Sequence, residues 1–131
     1  MSIEVLNLIK KAMEVLELKY GFMEYKADAG EDMPDVYFVG EYQELETVGE
    51  AGEEDAVFIL TGFSRGKWVW LEEAKEKIKK YFPANIGRMA AVESDSRAAI
   101  FYENSLPMPV ENEELKKLQI NLMVKEWKVE G

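Results

Sequence analysis

The sequence predicts an α+β domain, a mainly antiparallel β-sheet with two helices packed on one face, with residues 1–131 forming a single unit. Three observations carry that prediction. Residues 56–82, AVFILTGFSRGKWVWLEEAKEKIKKYF, read as an apolar strand, a short turn around Ser64, Arg65 and Gly66, and a strongly amphipathic helix. Residues 115–129 give a long alternation, with Leu118, Ile120, Leu122 and Val124 on one face against Gln119, Asn121 and Lys125 on the other. The order of elements along the chain is helix, three strands, helix, two short strands and a long strand, which suits a mainly antiparallel sheet with both helices laid on one face and leaves the strand order open.

Ser2 can cap a first helix, in which Val5, Leu6, Ile9, Ala12, Met13 and Leu16 form one apolar stripe and Glu4, Lys10, Lys11, Glu14 and Glu17 lie outside it. The mixed signs of that outer face read as a helix packed on a core, and Gly21 is expected to end it. Residues 22–27 predict a strand, followed by an acidic turn-forming loop over 28–35. A second strand is predicted over 36–45, where Gly40 signals a bulge or a close backbone approach. Residues 46–55, ETVGEAGEED, then form a long acidic connection.

In the strand over 57–63 both alternating faces are mostly apolar, so it belongs at the centre of the sheet, with a helix on one face and a loop or partner subunit on the other. The helix after it places Leu71, Ala74, Ile78 and Tyr81 or Phe82 on one stripe. Glu73 with Lys77 and Glu76 with Lys80 make exposed pairs on its wet side, its acids precede its lysines, and Pro83 stops it. Short strands follow over 88–92 and 98–102, joined at ESDSR. Pro107 and Pro109 restrict the next segment to an extended edge or loop.

Composition removes whole classes of chemistry. The chain has no cysteine, hence no disulfide, thiolate metal site or cysteine nucleophile, and no histidine, hence no Ser-His-Asp triad and none of the common zinc sites. With 26 acidic against 16 basic residues the formal net charge is −10. That field repels nucleic acid and anionic membranes, and no basic run overrides it, so no sequence-specific nucleic-acid binding is expected. No apolar run reaches the length of a membrane span, and Glu4 and Lys10 interrupt the N-terminal one, so a soluble intracellular protein is expected.

The remaining motifs read as structural. Asp28, Glu31, Asp32 and Asp35 lack the alternating spacing and closing glutamate of a calcium loop. GFSRGK at 62–67 precedes a helix as a phosphate loop would, yet lacks the full Walker spacing. No carboxylate pair stands out among 26 acids as an acid–base couple. Trp70 is expected in the core, and Trp68, beside Lys67 at the mouth of the turn, is expected to anchor a partner subunit. No enzymatic activity, cofactor or metal is expected.

Taken in order, these elements resemble the tail terminator and tail completion proteins of long-tailed bacteriophages and prophages. The resemblance covers nearly the whole chain. It is carried by Phe58, Ile59 and Leu60 running to Ser64 and Arg65, by Leu71, Glu72, Glu73, Ala74 and Ile78 of the helix, and by a closing strand over residues 120–127, INLMVKEW. Residues 67–69 lengthen the turn before the helix relative to the family's pattern.

The resemblance implies a structural role: copies forming a ring, typically a hexamer, that caps the tail tube and receives the head connector at the head-proximal end of the tail. The protein would reside in the bacterial cytoplasm during assembly and in the tail neck of the virion afterwards. Candidate interface residues are Phe63, Arg65 and Trp68 at the turn and Glu50, Glu53 and Glu54 in the acidic connection. A second reading is a soluble intracellular protein-binding module or regulator without enzymatic activity, whose acidic loops and Trp68 hold a basic partner.

Overall fold

The computed structural model describes residues 1–46, 53–93, 95–109 and 114–129. Helices α1 (Ile3–Val15) and α2 (Val69–Tyr81) lie on one face of a sheet built from β1 (Tyr20–Phe22), β2 (Val36–Glu44), β3 (Glu54–Ser64), β4 (Arg88–Glu93), β5 (Ser96–Met108) and β6 (Lys116–Lys128). The strand order is β1-β2-β3-β6-β5-β4. The pairs are antiparallel except β1 with β2, which is parallel. The predicted α+β class with a mainly antiparallel sheet is therefore the observed one.

Helix α1 begins as the sequence indicates, the Ser2 hydroxyl accepting the Val5 amide at 3.3 Å. It ends earlier than expected. Leu16 is the C-cap and Glu17 takes a left-handed φ of 58°. The Glu17 amide donates to Glu14 O and the Leu18 amide to Met13 O, the paired bonds of a Schellman ending. Glycine commonly fills that position because a Cβ is strained there, yet Gly21 lies four residues on, inside β1. Glu17→Gly is therefore expected to raise the unfolding free energy by about 0.5–1 kcal/mol, net of the chain entropy glycine adds, in urea titrations monitored by circular dichroism.

The strand predicted over 22–27 is instead the three-residue β1, and the cause is local. Met23 has a φ of 66°, and a Cβ on Gly21 would sit 2.0 Å from the carbonyl oxygen of Glu24, so the backbone folds back tightly just where a longer strand would continue. In β2 the register with β3 runs unbroken from Val36 opposite Ser64 to Glu44 opposite Ala56. Gly40 thus marks a close approach rather than a bulge: a Cβ there would lie 2.6 Å from the Phe58 ring and 2.8 Å from that of Tyr20.

Strand β3 is central, as its composition requires. Ala56, Phe58, Leu60, Gly62 and Ser64 are buried beneath the helices. Phe58 and Leu60 join Val5, Ile9 and Met13 of α1, Leu71, Ala74 and Ile78 of α2, and Leu118, Ile120 and Leu122 of β6 in one core. Val57, Ile59, Thr61 and Phe63 point to the other face and are only half-buried, and both helices lie opposite them. Of the loop or partner subunit expected over that face, the segment after β1 supplies Tyr25, whose ring stacks on Tyr37 beside Phe63, while Val57, Ile59 and Thr61 stay half-buried.

Strand β5 is longer than the predicted 98–102. It shifts register between Tyr102 and Asn104 and runs on to Met108, with Pro107 opposite Leu118. Strand β4 pairs with β5 only as far as Ile100, so Pro107 lies on a length with no strand partner on its outer side among the described residues, where a missing N–H is tolerated.

Candidate assembly surface

The turn between β3 and α2 is held by Ser64, the one fully buried polar side chain among the described residues. Its hydroxyl donates to Lys67 O at 3.0 Å and accepts the Gly66 amide at 3.3 Å. The Arg65 amide donates to Asp35 O at 2.8 Å, tying the turn to the start of β2 and leaving the Arg65 side chain exposed. Trp68 sits at the N-cap of α2. It packs partly against the core, and its indole N–H donates to Glu72 Oε1 at 3.1 Å. A hydrogen bond from Lys75, seconded by that indole, holds the Glu72 carboxyl below its ordinary range. Trp70, expected in the core, is instead half-buried beside the turn, where a Cβ on Gly66 would lie 2.4 Å from its ring.

Across the open sheet face from this turn runs a row of rings that the sequence did not reveal. Tyr25 stacks on Tyr37 at 5.3 Å between centroids, Tyr37 on Phe63 at 4.9 Å, and the Lys117 ammonium stands 5.5 Å over Phe63. Phe63 opposes Tyr37 on one side and Lys117 on the other in the register. The signal lay in alternation parity within each strand, but only the register brings the four together. Stacked pairs of this kind add roughly 0.5–1.5 kcal/mol beyond the area they bury.

The acidic candidates lie at the other end of β3. Glu54 opens the strand with Glu53 just before it, and the eleven-residue length of β3 separates them from Phe63 and Arg65 by roughly 30 Å. Glu50 falls outside the described residues. At this acidic end Glu54 opposes Glu126 across the strands, a like-charge pairing. The start of the chain partners it: the N-terminal ammonium pairs with Glu44, and the neutral Ser2 amide donates to Glu126 Oε1 at 3.0 Å. A carboxylate oxygen of Asp55 is buried there without a hydrogen-bond partner. The expected interface residues thus form two separate groups rather than one patch.

A third feature flanks α1. Two adjoining cavities of about 480 and 410 Å³ share Lys10 and Tyr20, the first reaching Tyr25 and the second Ile3, Leu6 and Phe22. Burial pushes the Tyr20 phenol up to about 12. Because the fold favours the neutral phenol, the stability it contributes is complete below the unfolded pKa of about 10 and is lost as pH rises above it. Tyr20→Phe is expected to flatten the decline in stability between pH 10 and 12, read from urea midpoints across that range.

Among the described residues no cluster of three or more metal-ligating side chains occurs, and no helix is long and apolar enough to cross a membrane. No protein-family model matches the sequence, and no curated protein matches it either. The fold is shared with solved structures. A chain from the virion of a native gene transfer agent particle superposes with a TM-score of 0.59 at 8% identity, over 92% of this chain and 84% of that one. A second solved protein gives a TM-score of 0.59 at 15% identity over 96% of both chains.

Proposed function

We propose that this chain is a structural protein of a phage-type virion, placed at the tail neck as a tail terminator or tail completion protein and acting without catalysis. Copies self-assemble into a ring that caps the tail tube and receives the head connector, first in the bacterial cytoplasm and then in the virion. The observation that carries this reading is the fold shared with a chain of the gene transfer agent virion across nearly the whole molecule. The two separated groups of candidate residues suit it. Phe63, Arg65 and Trp68 at one end of β3, and Glu53 and Glu54 at the other, give each copy two unlike contact surfaces, one for the tube and one for the connector. The net charge of −10 suits a passage through which DNA moves without sticking.

The test is mass in solution by light scattering across a wide concentration range, with electron microscopy of the same sample and of the sample mixed with tail tubes. Rings of roughly six copies, free or on tube ends, are the expected result. A strict monomer or dimer under every condition, tubes included, overturns the reading in favour of a protein-binding module.

A further inference from the structure

We propose that copies of this chain join side by side, the groove between α1 and β1 of one copy receiving Ile86 and Met89 from the β4 end of the next. This rests on the ring-forming reading above and names the surfaces that would build it. In the strand order β1 and β4 are the two ends of the sheet, and α1 touches both, so the edges flank that helix on either side. Exposed apolar side chains collect at each: Ile3 (72% exposed), Met23 (64%) and Phe22 (38%) beside β1, Ile86 (70%) and Met89 (65%) at the start of β4. Soluble monomers seldom leave such groups uncovered together.

The two patches differ in shape and in charge. Beside β1 there is a cavity of about 410 Å³ walled by Ile3, Leu6, Tyr20 and Phe22, and the charged residue lining it is Lys10, which has no ion pair among the described residues. The opposite edge offers protruding side chains, with the exposed Glu103 carboxylate on the neighbouring length of β5. Strand β4, RMAAVE, also lacks the lysines and prolines that usually guard an open edge. Its one cation is turned away, since the Arg88 guanidinium lies 3.8 Å over the Tyr81 ring.

A cavity with a cation and an apolar projection with an anion are complementary, and both are on the same chain. In a protein of net charge −10 two copies repel at long range, and a contact that sets Lys10 against Glu103 offsets that repulsion locally. Two unlike patches meeting head to tail make a heterologous contact, which propagates and closes into a ring where the rotation allows.

The absence of native cysteine makes the test direct. Ile3→Cys and Ile86→Cys are prepared as separate full-length chains and treated with a short bis-maleimide reagent, alone and mixed in equal amounts, while unmodified protein is imaged for rings. A dimer band that forms at least tenfold faster in the mixture than in either chain alone is the expected result. Rings without that preference, or a dimer band from one variant alone, overturn the contact and leave the ring reading standing. No rings and no cross-link at any concentration, on tail tubes as well as free, overturn both.

Discussion

Phe58→Ala is expected to lower the unfolding free energy by about 3–5 kcal/mol, more than any other single truncation considered for this chain. Phe58 is fully buried at the middle of β3, the strand that pairs with β2 on one side and β6 on the other. Its ring lies under the Gly40 backbone and stacks on Phe22 at 6.3 Å, and Phe22 stacks in turn on Tyr42 at 6.1 Å. Removing it opens a cavity bounded by strand backbone on two sides, which collapses poorly because the sheet hydrogen bonds fix the spacing of its walls. The fall in Tm should be roughly 10–20 °C for a chain of this size. A loss below about 1 kcal/mol in urea would mean that the ring is not packed as described.

Gly62→Ala is the second large effect, and it works by excess rather than deficit. Gly62 opposes Phe38 across β2 and Leu118 across β6, and a Cβ there would sit 2.6 Å from the Phe38 ring and 3.0 Å from a methyl of Leu71. Phe38 and Leu71 are fully buried, so neither has free space to move into. The added methyl must push α2 off the sheet or force Phe38 from its rotamer, at a cost of about 2–3 kcal/mol. A chemical-denaturation midpoint unchanged within error would sink this account. Because Gly62 lies two residues before Ser64, a displaced α2 should also disturb Trp68, seen as altered tryptophan emission.

Much of the architecture was legible because it rests on periodicity. The stripe of Leu71, Ala74 and Ile78 and the alternation of Leu118, Ile120, Leu122 and Val124 are the buried sets of α2 and β6. What periodicity could not give was backbone geometry at single positions. Gly21 looked like a helix terminator, whereas the left-handed residue is Glu17, held by a bond pattern that leaves no sign in composition. Trp68 and Trp70 have the same residue type, two positions apart, yet Trp68 packs partly against the core while Trp70, expected there, stays half-buried beside the turn, because the turn sets which ring reaches inward. The candidate residues were found as separate segments, but that they occupy opposite ends of one strand follows only from register. The Tyr25, Tyr37, Phe63 and Lys117 row and the α1–β1 groove needed tertiary structure, since each draws on segments with unremarkable sequence of their own.

The seat of β6 between β3 and β5 has a consequence for how the molecule comes into being. Strands β2 and β3 are neighbours in sequence, as are β4 and β5, so each pair can zip locally while the ribosome is still at work. Joining the two halves waits for residues 116–128, which pair with a strand made more than fifty residues earlier, Ser64 meeting Lys116 and Glu54 meeting Glu126. Until then the nascent chain presents two open edges, one of them the apolar β3. The interval invites wrong pairing with other nascent copies. Slower emergence of that late segment should therefore lower the yield of soluble protein without altering the stability of what does fold.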